Sequence, residues 1–161
     1  MFELVTINDK ELKEVICESI LRALPDWFGI EESIVNYAKT VKKMPFYAVY
    51  DSTMPIGFIA IKIHNRYTAE VCVMGVLKEY HRKGIGKMLI HKCEEFCIKN
   101  DYEFLTVKTL DESRPSKSYE KTRLFYTAIG FKPLEVFKTL WNEDNPCLFM
   151  AKYIQNKISD V

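Results

Sequence analysis

The sequence predicts a mixed α/β domain, and three observations point to this fold class. Strand-like segments at Phe46 to Tyr50, Ile56 to Ile63 and Ala69 to Leu77 follow one another with short turns, which predicts an antiparallel meander. An amphipathic run that ends near Asn100 predicts a helix of about four turns. The next strand, Phe104 to Thr109, should lie parallel to the third, because a helical crossover joins the two.

The segments on either side of this centre add further elements. Apolar patterning predicts strands at Phe2 to Ile7, Phe131 to Leu140 and Cys147 to Tyr153, and helices before Pro25, at Glu31 to Val41 and at Tyr119 to Ile129. Asn8, with Glu11 three residues later, predicts the start of the first helix. The buried face of that helix is expected to carry Leu12, Val15, Ile16 and Ile20. Gly130 should end the last helix in the left-handed conformation, and the tail after Tyr153 is expected to be frayed.

The length and composition of the chain exclude several classes of protein. A chain of 161 residues predicts one domain, residues 1–161, and the net charge of +1 gives no general attraction to nucleic acid or to an anionic membrane. The sequence has neither the roughly 20 consecutive apolar residues that span a bilayer nor a signal sequence, so a cytoplasmic protein is expected. The 5 cysteines are expected to be reduced core thiols. No Cys or His pair completes a zinc set, so no metal is expected.

The turn from His81 to Gly86 joins the Ala69 strand to the long helix. The first N–H groups of a helix lack internal partners, and the helix dipole makes them partly positive, so a phosphate group suits such a turn. Arg82, Lys83 and Lys87 add positive charge, and the two glycines allow ligand oxygens to approach the backbone. A Gly-x-Gly turn also occurs for structural reasons alone, so this motif by itself leaves both interpretations open.

A second motif follows the turn in the sequence: Phe125-Tyr126 ahead of Gly130-Phe131. Together with the strand that carries Met74-Gly75-Val76 and the turn from His81 to Gly86, it resembles the GNAT superfamily of N-acetyltransferases. The order of strands and helices also resembles that family from end to end. The resemblance implies a GNAT-like fold, in which a central mixed sheet of six or seven strands is accompanied by about four helices and splayed between the fourth and fifth strands.

The resemblance also implies that acetyl-CoA is the acetyl donor, without a metal. Its pyrophosphate would lie on the turn, and its pantetheine arm would pair with the strand backbone. The residues implied in binding are Met74, Gly75, Val76, His81, Arg82, Lys83, Gly84, Ile85, Gly86, Lys87 and Phe125. The family usually has Gln or Arg where this chain has His81, a departure that leaves the backbone N–H groups of the turn in place. A homodimer is compatible with the resemblance.

Acetyl transfer to an amine needs a base, an oxyanion donor and an acid. Alternation along the strand places Glu70 on the same face as Cys72, Met74 and Val76, which makes Glu70 the candidate base. The alternative for Glu70 is a carboxylate that is solvated or paired with a neighbour such as Lys62. A backbone N–H near Met74 or Val76 is the candidate oxyanion donor.

Tyr126 is the candidate acid, since the resemblance covers this position and a phenol stays protonated at neutral pH. The alternative is a core tyrosine that packs beside Phe125. Cys72 offers another route, through a covalent acetyl-cysteine, but no base for this thiol is visible in the sequence.

Four residues in predicted loops are candidates for the acceptor side of the site: Trp27, Phe28, Asn65 and Trp141. The alternative for Trp27 and Phe28 is that they close the edge of the core. The sequence therefore predicts an acetyl-CoA-dependent N-acetyltransferase, which transfers the acetyl group directly to a primary amine of a small molecule or protein in a ternary complex. The alternative function is a GNAT-like domain that binds acyl-CoA as a sensor or regulatory domain without turnover.

Overall fold

The computed structural model describes residues 1–154, which form seven strands and four α-helices. The strands are β1 Phe2–Thr6, β2 Phe46–Asp51, β3 Met54–Ile63, β4 Thr68–Val76, β5 Phe104–Leu110, β6 Lys132–Asn142 and β7 Asn145–Tyr153. The helices are α1 Lys10–Arg22, α2 Glu31–Thr40, α3 Ile85–Lys99 and α4 Lys117–Ala128. The expected fraying of the tail concerns residues after 154, which lie outside the described part of the chain.

The seven strands form one mixed sheet in the order β1-β2-β3-β4-β5-β7-β6. The meander of β2, β3 and β4 is present as predicted. The carbonyl oxygen of Tyr67, just before β4, accepts hydrogen bonds from the backbone N–H groups of Glu103 (2.8 Å) and Phe104 (3.0 Å). The starts of β4 and β5 therefore lie side by side, as a parallel pair requires. The predicted fold class is confirmed.

The residues divide into two compact units, the first of which contains Met1–Lys62 and Val71–Glu95. Its core is apolar and includes the stacked rings of Phe46 and Phe58, whose centroids are 5.2 Å apart. β1 pairs with β2, and β2 pairs with β3, both antiparallel. The turn between β2 and β3 is only two residues long, because Asp51 pairs with Met54.

Helix α1 begins one residue later than predicted, and its buried face also differs from the predicted one. The N-cap is Asp9, whose Oδ1 accepts a hydrogen bond from the backbone N–H of Leu12 at 2.9 Å. Leu12 and Val15 were expected to face inward but are 39% and 61% exposed. The buried residues are instead Lys13, Ile16, Cys17, Ile20 and Leu21. Lys13 is accommodated because its ammonium donates to the carbonyl oxygen of Met44 at 2.6 Å.

The second unit contains Ile63–Glu70 and the chain from Phe96 onward. β7 pairs antiparallel with both β5 and β6, so it lies between them in the sheet. α4 starts earlier than predicted because Ser116 caps it, accepting from the backbone N–H of Tyr119 at 3.3 Å. Gly130 has φ +104°, as predicted for the residue that ends this helix. Trp141 belongs to β6 and not to a loop, since the strand continues to Asn142.

No helix formed by residues 1–154 combines the length and the hydropathy needed to cross a membrane. The five cysteines are free thiols, and Cys72 is half-buried whereas the other four are buried.

Candidate functional site

The end of β4 alternates between buried and half-buried residues. Val71, Val73 and Gly75 are buried. Cys72, Met74 and Val76 alternate with them and are half-buried. The side chains predicted to lie along the pantetheine edge therefore share one face of the strand, since successive side chains of a strand point to opposite faces.

Gly75 is required by packing on the other face. A Cβ at this position would lie 3.0 Å from Cγ2 of Ile20 and 3.1 Å from Cδ1 of Leu24, both on the α1 side of the first unit. Such distances are shorter than ordinary van der Waals contact. The absence of a side chain at Gly75 thus lets the helix approach the strand closely.

The turn before α3 has two residues in the left-handed region. Arg82 has φ 62° and Gly84 has φ 81°, and both residues are exposed, as is Lys83. A Cβ at Gly84 would meet no heavy atom within 4 Å, so the backbone conformation, not space, favours glycine there. The carbonyl oxygen of Gly84 accepts from the N–H of Met88 at 3.0 Å, which starts α3 at Ile85. The first N–H groups of this helix lack intrahelical partners.

His81 connects this turn to the strand before it. Its Nε2 lies 2.7 Å from the carbonyl oxygen of Val76, the last residue of β4. The ring of Trp27 packs edge-on against the imidazole, with centroids 5.6 Å apart. His81, a departure from the family pattern, therefore contributes a contact between the turn and the strand end.

Glu70 is the most buried charged group of the candidate site. Its side chain is 7% exposed, and its Oε1 lies 2.6 Å from Nε2 of His64. The ammonium of Lys108 in β5 lies 3.2 Å from Oε1 and 3.0 Å from Oε2. All three residues belong to the second unit. A buried carboxylate requires such partners, because an unpaired charge in this environment is strongly unfavourable.

A cavity of about 420 Å³ lies beside this cluster, within the second unit. It is lined by His64, Asn65, Thr68, Thr106, Lys108, Phe137, Leu140 and Phe149. Asn65 also shapes the turn before β4, since its Oδ1 accepts from the backbone N–H groups of Tyr67 (2.8 Å) and Thr68 (3.1 Å). The cavity therefore combines an apolar wall from β6 and β7 with polar groups from the β4 and β5 side.

Tyr126 is buried in the second unit, on α4. Its ring lies 5.4 Å from the rings of both Phe125 and Phe131. The neighbouring Phe125 is half-buried. These contacts hold the phenol ring in a defined orientation.

The acceptor-side candidates lie in different surroundings. Trp27 and Phe28 are half-buried and pack on the core of the first unit, and Phe28 also meets Tyr37 edge-on. Asn65 lines the cavity, and Trp141 is exposed on β6. Of the predicted site residues, the structure thus places Asn65 in the cavity that the two partners of Glu70 line, and Trp27 against His81.

Sequence reasoning missed His64 and Lys108 as partners of Glu70 and named Lys62 instead. His64 stands six positions before Glu70 in the chain, on the other side of the turn between β3 and β4. The pairing of residues across a hairpin could therefore have predicted this contact. Lys108 gives no such signal, because its approach to Glu70 depends on how β5 pairs in the sheet.

Cys147 of β7 lies close to the same charges. Burial raises the pKa of the Cys147 thiol to about 11, with Lys108 lowering it and Glu70 raising it by smaller amounts. This thiol therefore stays protonated at neutral pH.

Comparisons with known proteins agree with this architecture. An N-acetyltransferase of Chlorobaculum tepidum is 26% identical over 106 residues, which are 66% of this chain and 60% of that protein. This chain thus matches less than two thirds of that relative's length. The structure of an aminoglycoside 6'-N-acetyltransferase complexed with coenzyme A superposes with a TM-score of 0.77 at 17% identity, covering 98% of this chain and 99% of that one.

A ribosomal-protein alanine N-acetyltransferase of Escherichia coli superposes with a TM-score of 0.76 at 13% identity, and each chain is covered completely, at 100%. At these identities the two structures show a shared fold. The family model of the acetyltransferase (GNAT) family matches residues 14–131, which include β4, the glycine turn, α3 and α4. The chain therefore belongs to the GNAT family of acetyltransferases.

Proposed function

We propose that this protein is an acetyl-CoA-dependent N-acetyltransferase that transfers the acetyl group directly to a primary amine in a ternary complex. The observation that carries this proposal is the buried carboxylate of Glu70, whose partners His64 and Lys108 both line the cavity of about 420 Å³. Ionisable groups that converge beside a cavity mark a candidate binding or catalytic site. Membership of the GNAT family supplies the reaction class.

Acetyl-CoA is the proposed donor, and the turn before α3 fits its pyrophosphate. The turn presents the exposed side chains of Arg82 and Lys83 next to the start of a helix of 15 residues. The left-handed backbone at Arg82 and Gly84 shapes the turn that leads into that helix. The remaining residues of the proposed donor site are Met74, Gly75, Val76, His81, Ile85, Gly86, Lys87 and Phe125.

The proposed chemistry assigns one role to each group. Glu70 provides the base that removes a proton from the incoming ammonium, and a backbone N–H near Met74 or Val76 donates to the thioester oxygen. Tyr126 gives its proton to the departing sulfur. Its packing between Phe125 and Phe131 supports this role, because a fixed ring holds the hydroxyl in position.

The acceptor is proposed to be an amine of a small molecule or of a protein. Structural neighbours act on aminoglycosides and on an alanine of a ribosomal protein, so both classes belong in the test. Trp27, Phe28, Asn65 and Trp141 remain the proposed contacts on the acceptor side. Asn65 is the one among them that lines the cavity beside His64.

The decisive experiment measures thiol release from acetyl-CoA with a panel of amines that contains kanamycin, spermidine and a peptide with an N-terminal alanine. The ion pair of Glu70 with Lys108 also fits the alternative of a non-catalytic acyl-CoA sensor, in which the pair is structural. Both functions predict that CoA raises the melting temperature. Only the enzyme releases thiol in the presence of an amine, and Tyr126→Phe should lower its kcat by about 10²-fold.

A further inference from the structure

The imidazole of His64 is placed between a buried carboxylate and the cavity. Its side chain is 33% exposed, compared with 7% for Glu70. Nε2 points to Glu70, and the ring also lines the cavity together with Asn65 and Thr68. A molecule that enters the cavity therefore meets the imidazole more easily than it meets the carboxylate.

The carboxylate of Glu70 is already engaged by its partners. Lys108 contacts both of its oxygens, and His64 contacts Oε1. An amine that bound to the carboxylate would have to displace one of these charge-assisted hydrogen bonds. Such bonds are stronger than hydrogen bonds between neutral groups. Direct proton transfer from an amine to Glu70 is therefore disfavoured by the arrangement.

We propose that His64, in place of Glu70, takes the proton directly from the acceptor amine, and that Glu70 acts through His64 as a positioning residue. This inference rests on the proposed acetyltransferase function and deepens it. Within residues 1–154 the ring uses Nε2 for its bond to Glu70, which leaves Nδ1 as the nitrogen that accepts the proton. The carboxylate fixes the tautomer and stabilises the imidazolium that forms.

The charges around the imidazole suit this role. Glu70 from β4 contacts the imidazole, and Lys108 from β5, which contacts the same carboxylate, lines the cavity together with His64. Cys147 of β7 lies near those two and, with a pKa raised to about 11 by burial, is uncharged at neutral pH. Lys108 balances the charge of Glu70, so the carboxylate does not require a second cation. β6 and β7 contribute the apolar side chains of Phe137, Leu140 and Phe149 to the cavity.

Every proton and electron pair of the proposed reaction can be followed from reactants to products. The ammonium gives one proton to Nδ1 of His64, and the nitrogen lone pair forms the C–N bond to the thioester carbon. The C–S bond then breaks, its electron pair stays on sulfur, and sulfur takes the proton of Tyr126. The second proton of the nitrogen returns to the Tyr126 phenolate through solvent, and His64 releases its proton to solvent. The products are the amide, the free thiol and one proton.

The test compares His64→Gln, His64→Ala and Glu70→Gln with the wild type by thiol release, using whichever amine of the panel gives turnover. We expect kcat/KM to rise with pH through the range in which an imidazole loses its proton, because only neutral His64 accepts one. His64→Gln should lower kcat/KM by about 10²-fold and abolish that rise. Glu70→Gln should also lower kcat/KM, since the imidazole loses the carboxylate that fixes its tautomer.

Imidazole added to the buffer separates a chemical from a structural role of His64. We expect it to restore part of the activity of His64→Ala, which leaves space for the added ring, and none of the activity of His64→Gln. His91→Ala is the matched control, because His91 lies on the exposed face of α3, next to Glu94 at 3.5 Å. Its activity and pH profile should be those of the wild type.

The outcomes separate the two proposals. Wild-type turnover with an unchanged pH profile in both His64 variants would overturn the assignment of His64 and leave the acetyltransferase function intact. A wild-type protein that binds CoA but releases no thiol with any amine would overturn the proposed function, and the assignment of His64 with it.

Discussion

The imidazole Nε2 of His81 lies 2.7 Å from the carbonyl oxygen of Val76, so the glycine turn is held to the last residue of β4 by a side chain. The turn contains two left-handed residues, Arg82 and Gly84, and this conformation is uncommon for a residue other than glycine such as Arg82. The same carbonyl belongs to the stretch proposed to pair with the pantetheine arm. The position of the turn and the binding of the donor are therefore expected to be linked through His81.

Replacing His81 tests this link. We expect His81→Ala to weaken CoA binding about fivefold, which corresponds to the roughly 1 kcal/mol of one hydrogen bond, because the free turn must be ordered on binding. Calorimetric titration with CoA gives the dissociation constant. His91→Ala serves as the control histidine, and equal affinities of His81→Ala and wild type would show that the contact has no part in donor binding.

Gly84 is expected to be required for its backbone conformation. Gly84→Ala should lower the free energy of unfolding by about 1–2 kcal/mol, since φ 81° is costly for a residue with a Cβ although the space is open. Gly84→Asn should lower it less, because Asn tolerates the left-handed region. Urea unfolding of both variants measures the difference. Equal losses for Ala and Asn would argue against the backbone explanation.

Gly75 is expected to be required for packing. Gly75→Ala should cost about 1–3 kcal/mol of unfolding free energy, as overpacking in a core does, because the new methyl group would lie 3.0 Å from Ile20. The cost should shrink in an Ile20→Ala background, where that methyl group has room. Gly29→Ala is the control, since its nearest contact is an ordinary 3.4 Å. Strict additivity of the two substitutions would contradict the packing argument.

The buried thiol of Cys17 should make stability depend on pH. Burial is the main cause that raises its pKa to about 12, from an ordinary value of 9.0, with Cys72 and Glu18 adding to the shift. The unfolded chain therefore loses this proton first, and the free energy of unfolding should fall by about 1.4 kcal/mol per pH unit above pH 9. Below pH 9 the contribution is fully present.

Urea unfolding at pH 7, 8 and 10 checks this expectation. Wild type should lose more stability between pH 8 and 10 than Cys17→Ala does, whereas the difference between the two proteins should be constant between pH 7 and 8. A constant difference over the whole range would mean that the thiol does not titrate in the unfolded chain as assumed.

Local patterns in the sequence predicted most of the elements because they arise from neighbouring residues. The two-residue turn after Asp51, the left-handed Gly130 and the helix that opens after Gly84 all follow from short-range stereochemistry. The start of α1 was wrong by one residue, since Asn8 and Asp9 are both good caps. Leu12 and Val15 are exposed because the helix instead turns the face that carries Lys13 and Cys17 inward.

The family motifs, the buried strand that leads into the glycine turn and the meander before it could be predicted from the sequence, because each depends on residues close together in the chain. Only the assembled sheet shows that β7 lies between β5 and β6, and that Lys108 contacts the carboxylate of Glu70. Long-range strand pairing sets these contacts. The sequence of one strand does not specify which distant strand will lie beside it, so a partner such as Lys108 becomes visible only when the sheet is assembled.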